Sequence, residues 1–306
     1  MRIFRKGAIG ATFVALALVA AACGSGDDAS GPKEGPEIVV SSFDFGESEI
    51  LAEVYAQAME ANGYTVERQL RVGSREILKP ALESGEVDFA PEYVGSALEV
   101  GFEQEPTSDT EATRDALIAA FEPKGVAVLD AAPAQDKNGI VVTAATADAL
   151  SLTTTSDLAG QEGDLAFGGP PECPTRPRCL LGLQDLYGLS FAEFKALDVG
   201  GPLTVEALDG GEIDVALLFT TDGVIADRGF VLLEDDLGLQ PAENIVPVIR
   251  QEILDAYGDE LAKLINEVSA KITTEALTEM NRQAGIDLED PDAIAAKWLA
   301  DNGFGA

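Results

Sequence analysis

Apolar and polar positions follow two periods along this chain, one typical of buried strands and one typical of amphipathic helices. Short apolar runs at 37–42 and 138–143 predict strands. Apolar residues at helical spacing predict a helix over 48–61, with Ser48 as its N-cap, and a long helical segment over 259–283. Strands that alternate with helices favour an α/β fold with mainly parallel sheets.

A ten-residue pattern occurs twice, once at 81–90 and again at 207–216. Each copy predicts the last turn of a helix, a glycine stop and a short buried strand. An aromatic residue follows each copy by three positions, Tyr93 in the first case and Phe219 in the second. Because ligands of open α/β sheets bind beyond the carboxyl ends of the strands, the repeat predicts two lobes that face one cleft. The alternative is a chance match between two common helix-strand junctions.

The position of the repeat predicts how the chain divides. Since the second copy lies in mid-chain and helices close the sequence, we expect the C-terminal part to return to the first lobe. Lobe 1 would comprise residues 37–130 and 241–306, and lobe 2 would comprise residues 131–240. A chain of 306 residues is long enough for two domains, and its apolar content of 46% supports a packed core in each.

The first 22 residues are typical of a signal peptide. Basic residues precede an apolar run over 8–22 that is too short to span a bilayer. The run ends in three alanines before Cys23, which resembles a bacterial lipoprotein cleavage site, and residues 23–36 predict a flexible tether. We therefore expect export and a lipid anchor at Cys23 on the outer face of the cytoplasmic membrane. The alternative is an ordinary secretory signal with an incidental cysteine.

Composition excludes several classes of function. A formal net charge of −34 argues against nucleic acid or an anionic membrane surface as a partner. The sequence contains no histidine, which removes Ser-His-Asp catalysis, Cys-His catalysis and every metal site built on histidine. We therefore expect no metal and no other cofactor. The 54 carboxylates carry no signal for an enzyme by themselves, because some pair would lie at a catalytic spacing by chance.

The two remaining cysteines lie six positions apart in a proline-rich segment, at Cys173 and Cys179. Export would place them in an oxidising compartment, where a disulfide that closes this small loop is the default. A metal site needs more ligands than two thiolates. A redox role is disfavoured because the spacing is not Cys-x-x-Cys.

Three segments, in order along the chain, resemble motifs of one family. Residues 42–51 are similar to its Ser-Lys-Asn-Phe-Thr-Glu-Gln-x-Ile-Leu segment, residues 85–96 to its Gly-x-Ile-Asp…Pro-Glu-Tyr-Thr-Gly-Thr stretch, and residues 219–223 to its Tyr-x-Thr-Asp-Gly element. The family is that of the osmoprotectant substrate-binding proteins, which serve ABC importers for glycine betaine, choline and carnitine. The loop at 173–179 resembles a branch typical of GC-rich Gram-positive bacteria. The resemblance runs from about 37 to 300.

The resemblance implies a type II periplasmic-binding-protein-like fold, in which two lobes close around a ligand by a hinge. It also implies an aromatic box, whose ring faces hold a quaternary ammonium by cation–π attraction. Tyr93 and Phe219 match positions of this box. Two tyrosines of the family's aromatic box are missing from this chain. Where several relatives carry an Asn-Thr-Tyr-Ala-Leu segment, residues 137–140 read Lys-Asn-Gly-Ile. The second box tyrosine corresponds to about Leu180.

The candidate ligand-binding set combines rings and polar groups. Phe43 and Phe45 would replace the missing rings or, alternatively, anchor their loop against the core. Ser74 and Arg75, at a predicted helix start, would bind a ligand carboxylate or, alternatively, lie on a solvated face. The complete predicted set is Tyr93, Phe219, Phe45, Phe43, Ser48, Ser74, Asn138, Thr220 and Asp222.

The function expected from this resemblance is the capture of a quaternary-ammonium osmoprotectant, such as glycine betaine or choline, and its delivery to ABC permease and ATPase subunits. The same transport role for a different small polar solute remains as an alternative, because the aromatic box is thinner than in the family pattern. An enzyme and a surface adhesin are the rival classes, and the absence of histidine and of a Gly-x-Ser-x-Gly elbow disfavours the enzyme.

Overall fold

A computed structural model describes residues 31–305 of the chain and contains two five-stranded sheets. The first part of lobe 1 contains β1 (Ile38–Ser41), α1 (Gly46–Ala61), β2 (Val66–Gln69), α2 (Arg75–Ser84), β3 (Phe89–Tyr93), α3 (Val94–Phe102), α4 (Thr110–Phe121) and β4 (Val126–Val128). Lobe 2 contains β5 (Asn138–Thr143), α5 (Ala144–Leu150), β6 (Ala166–Gly169), α6 (Leu180–Tyr187), β7 (Glu193–Ala196), α7 (Pro202–Asp209), β8 (Val215–Phe219), α8 (Val224–Asp227) and β9 (Phe230–Leu233). The chain then completes lobe 1 with β10 (Ile245–Arg250), α9 (Gln251–Tyr257), α10 (Asp259–Ser269), α11 (Thr274–Gly285) and α12 (Pro291–Asn302).

The two sheets have equivalent strand orders, β2-β1-β3-β10-β4 in lobe 1 and β7-β6-β8-β5-β9 in lobe 2. The sheets are mixed but mainly parallel, as expected: four strands of each sheet run in one direction, and the fifth, β10 or β5, pairs antiparallel with both of its neighbours. The antiparallel strands, β10 and β5, are the first strands that the chain forms after it crosses between lobes. Each begins opposite the last residue of the central strand, with Ile245 beside Tyr93 and Asn138 beside Phe219. A strand that enters a sheet from the cleft edge necessarily runs against the strands that end there.

The sequence repeat forms the same local structure in both lobes. Asp88 exchanges two hydrogen bonds with Val39, one through its backbone and one through its carboxylate, and Asp214 does the same with Ala166. The glycine stops equivalent to each other, Gly85 and Gly211, have φ of +81° and +70°. These shared contacts favour a true structural repeat over a chance match, and they bring β3 and β8 to the centre of each sheet.

Each lobe has its own hydrophobic core. In lobe 1 one cluster lies around α1, the central sheet and the C-terminal helices, with Tyr55 and Phe89 fully buried in it. In lobe 2 alternate residues of β8 face opposite sides of the sheet, so Leu217 joins one buried cluster and Leu218 joins the other. This period of two is the signature of a strand buried on both faces.

Two predicted helix boundaries differ from the structure. Helix α1 begins at Gly46, and Ser48 is not its N-cap: the Ser48 hydroxyl lies inside the helix and accepts a hydrogen bond from the Phe43 N–H at 3.0 Å. The long segment over 259–283 is two helices, α10 and α11. Thr273 interrupts it, because its side chain caps α11 by accepting from Ala276 N–H. A hydroxyl that bonds a nearby backbone group can serve either at a helix start or within a loop closure, so sequence spacing alone does not separate the two cases.

Two antiparallel chain segments join the lobes. Gln135 forms an isolated bridge with Asn244, and the Asp136 N–H donates to the Glu243 carbonyl at 3.1 Å. The signal peptide, Cys23 and most of the tether predicted over 23–36 lie outside the described residues. Within the described part of that tether, the Lys33 N–H donates to the Gly63 carbonyl of lobe 1. No helix within residues 31–305 is long and apolar enough to span a membrane.

Candidate functional site

A cavity of about 300 Å³ lies between the lobes, at the carboxyl ends of the two central strands. Tyr93 ends β3 and Phe219 ends β8, and both side chains line it. Its other lining residues include Phe43, Phe45, Ser74, Arg75, Ser96, Glu99, Asp136, Asn138, Cys173, Arg176, Arg178, Cys179 and Glu243. The cavity therefore lies where the repeat predicts a cleft, between two lobes that each present one aromatic ring at the end of a central strand.

Four rings, Phe43, Phe45, Tyr93 and Phe219, form an aromatic wall of the cavity. The Phe45 ring contacts Tyr93 of lobe 1 and Phe219 of lobe 2. Its centroid lies 6.0 Å from that of Tyr93 and 5.6 Å from that of Phe219. Phe43 stacks on Phe45 at 6.0 Å and carries the Arg75 guanidinium over its face at 4.9 Å. Phe43 thus already contacts a cation of the protein, and the other three rings form the surface that a ligand can use.

Behind the aromatic wall lies a buried carboxylate, Glu47, in the first turn of α1. It accepts hydrogen bonds from the Tyr93 hydroxyl at 2.7 Å, from the Thr221 hydroxyl at 2.6 Å and from the Asn281 amide at 2.6 Å. Thr221 belongs to lobe 2, so Glu47 joins the two lobes. Burial raises the pKa of the Glu47 carboxyl although these donors oppose the shift. Burial also raises the pKa of the Tyr93 hydroxyl well above its usual value, so Tyr93 remains a donor.

More acidic groups surround this point. Burial raises the pKa of Asp136 well above its usual range, and the charge of Glu47 adds to the effect. Burial raises the pKa of Asp222 to about 7, and it raises that of Glu243 to about 7. Within residues 31–305 none of these four carboxyls forms an ion pair with lysine or arginine. A cation bound in the cavity would favour the ionised form of these carboxyls, so the cavity suits a positively charged ligand better than an anion.

The predicted carboxylate site at the start of α2 has a different arrangement. Arg75 donates to both oxygens of Glu92 at 2.8–3.2 Å, and the Ser74 hydroxyl donates to Glu76 at 2.7 Å. Glu92 is buried, so the bidentate pair neutralises a carboxylate that would otherwise be costly to desolvate. Arg75 lines the cavity but is committed to Glu92, and the structure does not support a guanidinium kept for a ligand.

The loop between β6 and α6 also lines the cavity. Cys173 and Cys179 are joined there by a disulfide, with their Cα atoms 5.2 Å apart, and both are buried. We define residues 173–179 as the disulfide loop. Its two arginines reach across to lobe 1: Arg176 pairs with Glu76, and Arg178 pairs with Glu99 at 2.8 Å and with Glu105 at 2.6 Å.

Six of the nine predicted ligand-binding residues line the cavity, and three do not. Ser48 is fully buried and holds the loop before α1. The Thr220 hydroxyl accepts from the Lys137 N–H, and the Asp222 carboxylate accepts from the Phe219 N–H at 2.8 Å. These three side chains support the wall from behind, because their polar atoms are engaged by the local backbone. The six predicted residues that line the cavity are Tyr93, Phe219, Phe45, Phe43, Ser74 and Asn138.

Several residues that shape the site are not predicted from the sequence. Thr221 lies inside the motif at 219–223, and its hydroxyl donates across the cleft to Glu47. Glu47 and Asn281 are 234 positions apart, and nothing local indicates their contact. Within the segment 137–140, where the family pattern carries a box tyrosine, Asn138 lines the cavity and Ile140 packs in the lobe-2 core. Leu180, at about the second lost position, packs against the same core and does not line the cavity.

Comparison with known proteins gives the same assignment from independent data. The family model of the substrate-binding domain of ABC-type glycine betaine transport systems, OpuAC, matches residues 36–301. The chain is similar to a glycine-betaine-binding protein of Pseudomonas aeruginosa, with 27% identity over 285 residues and 90% of each chain covered. It is also similar to the carnitine transport binding protein OpuCC of Listeria monocytogenes, with 28% identity over 262 residues and 84% of each chain covered.

Solved structures show the same fold. A crystal structure described as a glycine betaine/carnitine/choline ABC transporter has a TM-score of 0.72 and 25% identity, with 87% of this chain and 99% of that chain covered. Lactococcal OpuAC, in a closed conformation with glycine betaine, has a TM-score of 0.60 and 16% identity, with 87% of this chain and 95% of that chain covered. The two-lobed fold is therefore shared with substrate-binding proteins of ABC transporters. Because the family model spans most of the sequence, this chain belongs to the OpuAC family of substrate-binding domains of ABC-type glycine betaine transport systems.

Proposed function

We propose that the cavity captures a small quaternary ammonium compound for an ABC importer. The observation that carries this proposal is the aromatic wall in a cleft that contains several buried carboxyls. A quaternary nitrogen offers no hydrogen-bond donor, so ring faces within about 6 Å and nearby negative charge are the interactions it can use. Phe45, Tyr93 and Phe219 supply the faces, and a bound cation would favour the ionised form of a buried carboxyl such as Asp136.

The charges on the cavity wall favour the cationic part of a ligand over an anionic part. Five acidic residues line the cavity against three arginines, and each of the three arginines pairs with a glutamate of lobe 1. A ligand carboxylate would therefore compete with Glu92, Glu76 or Glu99 for its partner. We expect a cation such as choline to bind more tightly than its zwitterionic relative glycine betaine.

Titration calorimetry with choline, glycine betaine, carnitine and ergothioneine tests this proposal. The control ligand is the neutral carbon isostere of choline, 3,3-dimethylbutanol, which has the same shape and no charge. We expect choline to bind and the isostere to bind at least tenfold more weakly, since cation–π contacts contribute about 0.5–2 kcal/mol each. Equal affinity for choline and the isostere, or no binding of any of the four ammonium compounds, would contradict the proposal.

A different small polar solute is the second candidate ligand. The observation in its favour is that Phe45 contacts both Tyr93 and Phe219 directly, at distances typical of packed aromatic pairs. Together with the two lost box positions, this leaves fewer open ring faces than a four-sided cage would have. The same calorimetric series distinguishes the candidates, because a solute without a cationic centre should not depend on ring faces.

We also propose that the mature protein is attached to the membrane through a lipid on Cys23 and delivers its ligand to a permease. The support is the resemblance of the N-terminal segment to a lipoprotein cleavage site and the family, whose binding proteins work outside the cytoplasmic membrane. Cys23→Ala should move the protein from the membrane fraction to the soluble fraction, because an acylated cysteine supplies the apolar area that an acidic surface lacks. Ser25→Ala is the control. Retention of the Cys23→Ala variant on membranes would exclude this anchor.

A further inference from the structure

The disulfide loop contributes to the site in a way that the aromatic wall does not explain. It lies on lobe 2, and its arginines make their ion pairs with lobe 1, across the cavity. Among these contacts the pair of Arg178 with Glu99 is the most buried, with side-chain exposures of 19% and 10%. The other two pairs, Arg176 with Glu76 and Arg178 with Glu105, involve exposed glutamates at the rim of the cavity. Exposed ion pairs contribute little to stability.

Lobe 2 holds Arg178 in place independently of lobe 1. Its Nη1 donates to the Leu239 carbonyl at 3.1 Å, and its own carbonyl accepts from the side-chain amides of Asn138 and Gln240, both at 3.0 Å. Glu99, by contrast, belongs to α3 of lobe 1. When the lobes separate, Arg178 therefore stays with lobe 2 and the ion pair is broken.

The local covalent structure of the disulfide loop prevents it from adapting freely. The Cys173–Cys179 bond closes the loop, and two prolines within it restrict the backbone. On the other side α6 packs so closely that a Cβ at Gly182 would collide with the Pro177 carbonyl. The loop therefore holds Arg178 in one position, within ion-pair distance of Glu99.

We propose that Arg178, presented by the disulfide loop, is a positioning residue that recognises Glu99 in the closed form and thereby sets the ligand affinity of the cleft. The pair exists only when the lobes meet, so its free energy enters the equilibrium between open and closed forms. A ligand that binds the closed form gains affinity in proportion to the closed population. This inference concerns closure, and it rests on the proposed function only where a ligand is used to measure it.

The physical argument is the asymmetry of buried charges. Burial raises the pKa of Glu99 even beside Arg178, so this carboxylate, whose side chain is 10% exposed, is partly desolvated where the lobes meet. A desolvated carboxylate is tolerable with its partner and costly without it, so loss of Arg178 penalises the closed form in particular. The open form, in which Glu99 is hydrated, is not penalised.

The first experiment measures closure without ligand in the full chain. Spin labels at two exposed positions, Asp115 on lobe 1 and Asp148 on lobe 2, report the interlobe distance by double electron–electron resonance. Arg178→Met should shift the distance distribution towards longer values. The control is Arg228→Met, which removes the same charge from pairs that lie within lobe 2, and it should leave the distribution unchanged. Identical distributions for Arg178→Met and the unaltered protein would overturn the proposal.

The second experiment uses choline as the probe. Arg178→Met and Glu99→Gln should each weaken choline binding about tenfold, mainly through a faster off-rate, while the melting temperature of the ligand-free protein changes by no more than in Arg228→Met. The double variant should bind no more weakly than either single variant, and Arg178→Lys should recover part of the loss. Additive losses in the double variant would show that the pair does not act as a unit. If the unaltered protein does not bind choline, the proposed function fails, and the distance measurement still decides the role of Arg178.

The disulfide provides the third arm of the test. Joint replacement of Cys173 and Cys179 by serine should lengthen the interlobe distances as Arg178→Met does, because the loop then no longer holds Arg178 beside Glu99. Far-ultraviolet circular dichroism should show that the fold is retained. A retained fold together with an unchanged interlobe distance would show that the disulfide has no part in closure.

Discussion

Replacement of Phe219 by alanine is expected to weaken binding of the ammonium ligand by at least tenfold. The ring ends the central strand of lobe 2 and contacts Phe45 of lobe 1, so it contributes a face to the ligand and a contact to the closed form. One cation–π contact is worth about 0.5–2 kcal/mol, and the lost apolar burial adds to it. Phe219→Leu keeps apolar area without the ring face and should lose less. Calorimetry with choline measures both.

Phe194→Ala is the control for this experiment, because it removes a partly buried lobe-2 ring that packs on Phe167 and does not line the cavity. It should lower the melting temperature without a comparable loss of affinity. Tyr93→Ala would not test the ring alone, because the buried Tyr93 hydroxyl donates to Glu47 and its loss would remove a donor from that carboxyl. Tyr93→Phe separates the two roles: affinity should fall little if the ring face alone binds the ligand. If Phe219→Ala binds as tightly as the unaltered protein, the ring belongs to the core and not to the site.

The free energy of unfolding is expected to be higher at pH 5 than at pH 8 by a few kcal/mol. Burial raises the folded-state pKa of Asp222 and of Glu243 to about 7, from unfolded values of 3.8 and 4.5. The folded protein therefore binds more protons than the unfolded chain between these values. Each group contributes stability that is fully present below its unfolded pKa and is lost as the pH rises through 7, at about 1.4 kcal/mol per pH unit.

At lower pH the sign reverses. Hydrogen bonds hold the pKa of Asp157 and of Glu279 at about 2, so the stability they contribute is lost as the pH falls below 4. The stability optimum should consequently lie near pH 4–5. Denaturant unfolding from pH 4 to pH 8 at constant high salt, which screens the net charge, measures the profile.

Asp222→Asn is the diagnostic variant for this profile. Asparagine keeps a carbonyl oxygen that can accept from the Phe219 N–H but has no titrating group, so the slope between pH 5 and pH 8 should become shallower. Asp148→Asn, at an exposed position of α5, removes the same formal charge and should leave the slope unchanged. The same slope in Asp222→Asn as in the unaltered protein would mean that Asp222 is ionised in the folded state.

Local patterns in the sequence were sufficient for the two-lobed fold and for the rings of the site. The repeat predicts β3 and β8 because a glycine stop, a buried strand and a following aromatic are properties of neighbouring residues. Phe45 is also identified from a local pattern, because it lies in the segment 42–51 that resembles a family motif. Local patterns were not sufficient for the strand directions, because β5 and β10 owe their antiparallel pairing to the crossings between lobes.

The chemistry behind the rings was decided only by the tertiary structure. A glutamate at the start of a helix, such as Glu47, normally faces water, and only the meeting of the two lobes at Thr221 and Asn281 buries it. Arg178 and Glu99 are 79 positions apart, and neither has a sequence context that indicates an ion pair. The sequence by itself therefore determined which elements form and which rings they carry, since these depend on contacts between neighbours. Which charges are buried, and which pairs hold the lobes together, depends on contacts that exist only after both lobes have folded and closed.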